Sequence, residues 1–556
     1  MNNKSKYISS AFLLLLSSVI VKIIGAFYKI PLTSSIGAVG RGYFSTAYNL
    51  YMPLHVIIMG AFPIALSRLI SKYNALDNKL MLSSLKKASR SLFFIIGVAG
   101  TGIILIFAKP YSVFIAGAPK SVYTIFVLAP SLLFACASSA YRGYYEGFMD
   151  MKPTAVSQIL EAVFKLVFGI LLARASMRYF YDYYTVNGSV LGTYPKNSDE
   201  ALSLIYPLTS AAAMLGVTLG TLISLAYLVV YDRINSKGSI KVSSLQGRRE
   251  LLSFSLPIII SCSVQSVFQF LDTASVQYSL NRLSDNVLRA SLPTVVIPDS
   301  DLSSYAYGIF STALDFKNII PGITMALGVC AVPALCREYE AGNKERLETL
   351  MNSVFKYTSL LACYGSIFLA LFSKNILTLF YSSSPDIISG CEGLVKYFAF
   401  TVPVYCLAST AVFSVQALGK PEKSIPSYIV AGTVRIVLNV ALINNERLVM
   451  YGAVISGAVG YFLLFVINFS ISKRLSGVRL SIFTILLKPL FIAVSEYFAV
   501  FYLSNYINFF KNNLINLLIE LVVFSTIYYI LCILLKALNL KEIFCAFNFK
   551  KNGLNA

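Results

Sequence analysis

The residues of this chain best suited to chemistry are ionisable groups set inside long apolar runs. In the first run, Ser18, Lys22, Gly25 and Lys29 stand at i, i+4, i+7 and i+11. They form one stripe of a helix, with two cations about two turns apart. Gln265, Gln269 and Asp272 repeat that period in a later run. Glu161 and Lys165 form an i,i+4 pair, and Arg435 shares a face with Asn439 with no acid nearby in its own segment. Asp315 and Lys317 are two residues apart and point to different sides; Lys317 is expected to snorkel. His55, the single histidine, has an ordinary pKa that lies near neutrality. An ionisable group at mid-span costs ~2.5–3.5 kcal/mol on insertion scales, so such groups are expected to face a cavity or a partner. The embedded cations Lys22, Lys29, Lys165, Lys317 and Arg435 outnumber Glu161, Asp272 and Asp315. That balance favours an anionic ligand, above all a phosphate or pyrophosphate, which ammonium and guanidinium groups bind by charge-assisted hydrogen bonds. His55, Asp272 and Asp315 are the groups available for ion coupling. Lys356, Lys396, Lys488, Glu496 and Glu520 lie nearer span ends or in later helices and are expected at the interface.

The composition says that the surroundings of these groups are hydrocarbon. Of 556 residues, 57% are hydrophobic and 13% charged, against about a quarter charged in soluble domains. A spanning helix needs ~20 apolar residues, and fourteen such segments are expected near residues 8–30, 43–67, 91–108, 121–141, 154–173, 203–231, 251–271, 305–334, 355–373, 394–418, 425–443, 450–471, 482–503 and 514–535. Their length and lack of period-2 alternation make them helices rather than barrel strands. The fold expected is therefore all-α and polytopic. Lys4 and Lys6 before the run from Ile8 imitate a signal peptide, but the run continues past Ile24 without a small-residue cleavage site, so a retained first span is expected.

The formal charge is +21. With the amino terminus inside, the inner loops and tails hold roughly 27 of the Lys and Arg residues and the outer loops roughly 11, which places both termini in the cytoplasm. Read as topology, the basic excess calls for no nucleic acid. The nine cysteines have no C-x-x-C spacing and no neighbouring histidines, so neither a zinc site nor a disulfide framework is expected.

A weak internal duplication follows. Pro63-Ile-Ala-Leu-Ser-Arg68 with Asn78-Lys79 matches Pro333-Ala-Leu-Cys-Arg337 with Asn343-Lys344. Gly147 to Pro153, followed by Lys165, matches Gly419-Lys420-Pro421, followed by Arg435. Spans 1–6 thus correspond to spans 7–12, as in transporters built from parallel six-helix repeats. The expected organisation is an N-lobe at 1–231, a cytoplasmic linker at 232–250, a C-lobe at 251–472, and a final pair of spans with a cytoplasmic tail at 473–556.

No Walker A sequence, kinase loop, G-x-S-x-G elbow, H-E-x-x-H or paired-carboxylate motif is present. No enzyme activity, metal, cofactor or ATPase subunit is expected. The stretches Ser138 to Glu161, Lys22 to Leu32, Gly60 to Ser67 and Gly216 to Gly220 resemble the stage V sporulation protein B and polysaccharide-biosynthesis branch of the multidrug/oligosaccharidyl-lipid/polysaccharide flippase superfamily. The resemblance implies two six-helix lobes around a central cavity, plus two helices that in relatives moving lipid II form a groove for the lipid tail. It also implies flipping of an undecaprenyl-pyrophosphate-linked oligosaccharide or peptidoglycan precursor across the cytoplasmic membrane by alternating access. The partners would be that lipid-linked anionic saccharide and the membrane lipids. Lipid II flippases carry in their first helix an Arg, a Gly three later and a second Arg three beyond; here Lys22 and Gly25 fill the first two places, Tyr28 the third, and the next cation is Lys29. The competing expectation is a cation-coupled multidrug exporter of the same fold, which would favour an acid-dominated cavity and usually twelve spans.

Overall fold

The computed structural model describes residues 3–235, 243–292, 297–504 and 513–537. The described residues are helical almost throughout and contain no strand beyond an isolated bridge between Val190 and Thr193. The α-helices are α1 (Asn3–Ala75), α2 (Lys79–Pro110), α3 (Val122–Gly147), α4 (Lys152–Asn187), α5 (Ser198–Asn235), α6 (Leu245–Arg282), α7 (Asp285–Ser291) and α8 (Asp299–Lys317). They continue as α9 (Ile319–Glu340), α10 (Lys344–Tyr381), α11 (Pro385–Ala417), α12 (Ile425–Ile443), α13 (Met450–Ser476), α14 (Lys488–Ser504) and α15 (Asn513–Leu534). Twelve helical segments among the described residues are long and apolar enough to cross a membrane. The chain is a multi-pass membrane protein. Fourteen spans are expected, and the difference lies in two places. Ile20–Ala75 counts as one segment of 56 residues, about 84 Å of helix at 1.5 Å per residue, and α6 is not among the twelve.

The first two expected spans run into each other because the connection between them is a kink rather than a loop. Gly37, at φ +67° and ψ 175°, bends α1, in a conformation that side-chain-bearing residues rarely adopt. A Cβ there would also stand 3.0 Å from the Tyr206 ring. The expected eighth span is divided for a different reason. Pro321 lacks the N–H that the Lys317 carbonyl would accept, and its ring crowds that carbonyl. The regular helix is accordingly interrupted at Asn318 alone, whose amide still donates to the Leu314 carbonyl at 3.0 Å and whose carbonyl accepts from Gly322 at 3.1 Å.

Both copies of the duplicated Asn-Lys motif fold alike. Asn78 caps α2 by accepting from the Met81 amide at 3.0 Å, and Asn343 caps α10 by accepting from the Arg346 amide at 3.2 Å. Each follows a residue in the left-handed region, Asp77 at φ 48° and Gly342 at φ 68°. The other duplicated turn also contains such a residue in each copy, Met149 at φ 61° and Gly419 at φ 74°.

By proximity the chain forms two compact units, Met1–Thr312 with Gly432–Ala453, and Ala313–Ala431 with Val454–Ala556. In the first unit α1 and the front of α8 come into backbone contact: a Cβ on Gly42 would lie 1.9 Å from the Ser304 carbonyl oxygen, and one on Gly308 1.8 Å from that of Ala38. In the second unit Leu347, Met351 and Phe355 of α10 pack with Leu407 and Ala411 of α11 and Phe469 of α13. The last two helices also pack on α10, where Leu360 meets Ile492, Tyr528 and Cys532. Glu496 and Glu520 are buried in this packing, and Asn375 of α10 donates to both Glu520 oxygens at 2.9 and 2.8 Å. Sequence position near a span end does not reveal that α10 is present to cover them.

Candidate functional site

Three of the expected site residues meet in one cluster of the first unit. Asp272 on α6 is 9% exposed, and its Oδ1 lies 2.7 Å from Arg435 Nε of α12. Asn439, one helical turn beyond Arg435, donates to the same Oδ1 at 2.9 Å and to the Ser275 hydroxyl at 2.9 Å. The acid missing from the Arg435 helix is therefore supplied by α6. Gln265 and Gln269, on the same α6 stripe, are exposed on the protein surface.

Glu161 and Lys165 do not neutralise one another as a simple pair. The Glu161 carboxylate accepts from Arg142 at 3.0 Å. Arg142, 2% exposed, also donates to Ser157 at 3.0 Å and Ser224 at 2.9 Å, tying α3 to α4 and α5. The Lys165 ammonium donates instead to the Tyr48 hydroxyl and lies 4.9 and 5.4 Å from the ring centres of Tyr48 and Tyr28. Tyr48 belongs to an aromatic file on α1, with ring centres 5.0 Å apart for Phe44–Tyr48, 6.1 Å for Tyr48–Tyr51 and 5.0 Å for Tyr51–His55. The Tyr51 hydroxyl meets His55 Nδ1 at 2.8 Å. Arg142 and, apart from His55, the members of this file are not among the site residues expected from the sequence. The signal was present, since Phe44, Tyr48, Tyr51 and His55 stand at i, i+4, i+7 and i+11, the spacing already used for Lys22 and Lys29.

On α1, Lys22 is exposed and Lys29 half-buried; the Ser18 side chain lies outside the described residues. Asp315 is half-buried, and Lys317, far from snorkelling, is buried.

Two further polar clusters lie at the ends of the helices. Asp301, 1% exposed, accepts from Lys120 Nζ at 3.0 and 3.2 Å, from the Tyr43 hydroxyl at 2.7 Å, and from the Ser203 hydroxyl. It joins α8 to α1 and α5, beside the backbone contact at Gly42 and Gly308. At the opposite end of α5, Asp232 pairs with Lys86 at 2.7 Å and with Arg90, and accepts from the Tyr145 hydroxyl at 3.0 Å. Lys86 and Arg90, counted in the sequence only as topology signals, thus also anchor α2 to α5. Among the described residues no group of three His, Cys, Asp or Glu side chains could hold a metal ion.

Residues 8–192 match the family described as polysaccharide biosynthesis protein, and residues 295–441 match the MatE family. The chain is 24% identical to the lipid II flippase MurJ of Bacillus subtilis (strain 168) over 497 residues, covering 85% of this chain and 84% of that protein. It is 20% identical to stage V sporulation protein B of the same organism over 548 residues, 97% of each. Among solved structures, the inward closed conformation of lipid II flippase MurJ superposes with a TM-score of 0.67 at 15% identity, covering 94% of this chain and 99% of that one. An inward-facing multidrug resistance MATE transporter superposes with a TM-score of 0.59 at 15% identity, covering 81% and 94%. The near end-to-end match makes the chain a homologue of the two Bacillus proteins, and its fold is that of the MurJ and MATE structures.

Proposed function

We propose that this protein is a flippase, not an enzyme, that carries an undecaprenyl-pyrophosphate-linked oligosaccharide or peptidoglycan precursor across the cytoplasmic membrane by alternating access. Alignment with stage V sporulation protein B along 97% of both chains supports the assignment. One observation carries the charge argument: two of the three acids that the sequence sets against the embedded cations are taken up by arginines, Glu161 by Arg142 and Asp272 by Arg435. The lysine stripe of α1 thereby keeps its preference for an anion. In this reading the six-helix repeats at 1–231 and 251–472 are the moving bodies, the linker at 232–250 and both termini are cytoplasmic, and Lys22 and Lys29 meet the phosphates. The MatE match at 295–441 is what favours a multidrug exporter, but a cationic drug needs acids that are not already neutralised.

The test is flipping of a labelled lipid-linked precursor in proteoliposomes. Lys22→Ala is expected to lose flipping while reaching the membrane at the wild-type level. A variant that flips at the wild-type rate would remove Lys22 from the site. Export of cationic dyes without movement of the lipid-linked precursor would establish the multidrug reading.

A further inference from the structure

The second unit holds a buried ammonium that the proposed reaction does not use. Lys317 ends α8 and is 3% exposed. Its Nζ donates to the Tyr461 hydroxyl at 3.1 Å. Around it stand three aromatic faces, with ring centres at 4.7 Å for Tyr461, 5.1 Å for Tyr405 and 5.4 Å for Phe398. Among the described residues no carboxylate stands within ion-pair distance of it. A lysine stem is long enough to carry its charge to a polar surface, and here it is folded inward instead.

Three ring faces within about 6 Å of one ammonium is the arrangement by which aromatic cages hold free ammonium ligands. The cage is assembled independently of its occupant: Phe398 and Tyr405 come from α11, Tyr461 from α13, and Tyr405 and Tyr461 stack on each other at 4.3 Å and 29°.

We propose that Phe398, Tyr405 and Tyr461 form a binding site for small alkylammonium cations, permanently filled by the Lys317 side chain acting as a tethered ligand. The charge of the site is then fixed and does not exchange with solution. This holds whatever the protein carries, so the test needs no transport assay.

Truncation by Lys317→Ala removes the atoms that n-propylammonium would restore. Purified full-length Lys317→Ala in detergent is expected to gain thermal stability in a saturable manner with n-propylammonium. 1-Propanol at the same concentration should have no such effect, and the wild type should not respond to either. Equal responses to the ammonium and the alcohol, equal responses of variant and wild type, or no response of the variant would each overturn the proposal. Should Lys317→Ala fail to accumulate, its membrane yield is compared in cells grown with n-propylammonium or 1-propanol. Recovery with the ammonium alone supports the cage; recovery with both or with neither overturns it.

Discussion

At Asp272 an ion pair with Arg435 and a hydrogen bond from Asn439 converge on one carboxylate oxygen. Removing one member of a buried pair leaves the other uncompensated, at ~3–5 kcal/mol, whereas removing both charges together costs far less. Arg435→Ala should therefore lower thermal stability by on the order of that amount, and Asp272→Asn with Arg435→Gln should recover most of it. A thermal-unfolding double-mutant cycle in detergent measures the coupling; additive effects would mean that the two groups do not interact. This pairing was not legible in the sequence. Helical spacing tells which residues share a face, so Arg435 and Asn439 could be placed together, but it is silent on which face packs opposite. Asp272 lies 167 residues from Asn439. Glu161 shows the same limit at shorter range, because its i,i+4 neighbour Lys165 was the visible candidate and its partner Arg142 lies 19 residues back, in the preceding helix.

Among the elements, the helices were largely legible because a run of apolar residues has few alternatives in a membrane. Their interruptions were less so. Gly37 and Pro321 are each common residue types, and only the positive φ of the first and the divided helix around the second give them their meaning. The duplicated Asn-Lys motif was visible as letters; its physical content is an N-cap, used twice. That equivalence makes a paired prediction. Asn78→Ala and Asn343→Ala should each destabilise by ~1 kcal/mol, and the Asp or Ser variants should restore most of the loss, since these side chains also accept from the first-turn amides. Thermal denaturation of the four variants would check this, and an effect at one site without the other would remove the caps from the list of features that the two copies share.

For the molecule as a whole, the energy source is the open physical question, and the arrangement of charges bears on it. Asp272 already holds a guanidinium and an amide, and His55 is engaged by Tyr51, so an ion entering at either would have to displace a partner within the protein. A net-cationic carrier that binds a pyrophosphate leaves the membrane potential as a source of work, at ~2.3 kcal/mol per elementary charge and 100 mV. The sign favours net outward flipping: the pyrophosphate offsets the cationic charge of the loaded carrier, so an inside-negative potential opposes the outward step little, and it draws the emptied, net-cationic carrier back toward the inside. Dissipating the potential at constant pH and sodium should therefore slow flipping in proteoliposomes, and an imposed inside-negative potential should restore it. Rates that are unchanged at zero potential but fall when sodium or the proton gradient is removed would transfer the coupling to an ion. His55, Asp272 and Asp315 would then be the residues to replace one at a time, and the variant that loses the ion dependence would identify the coupling group.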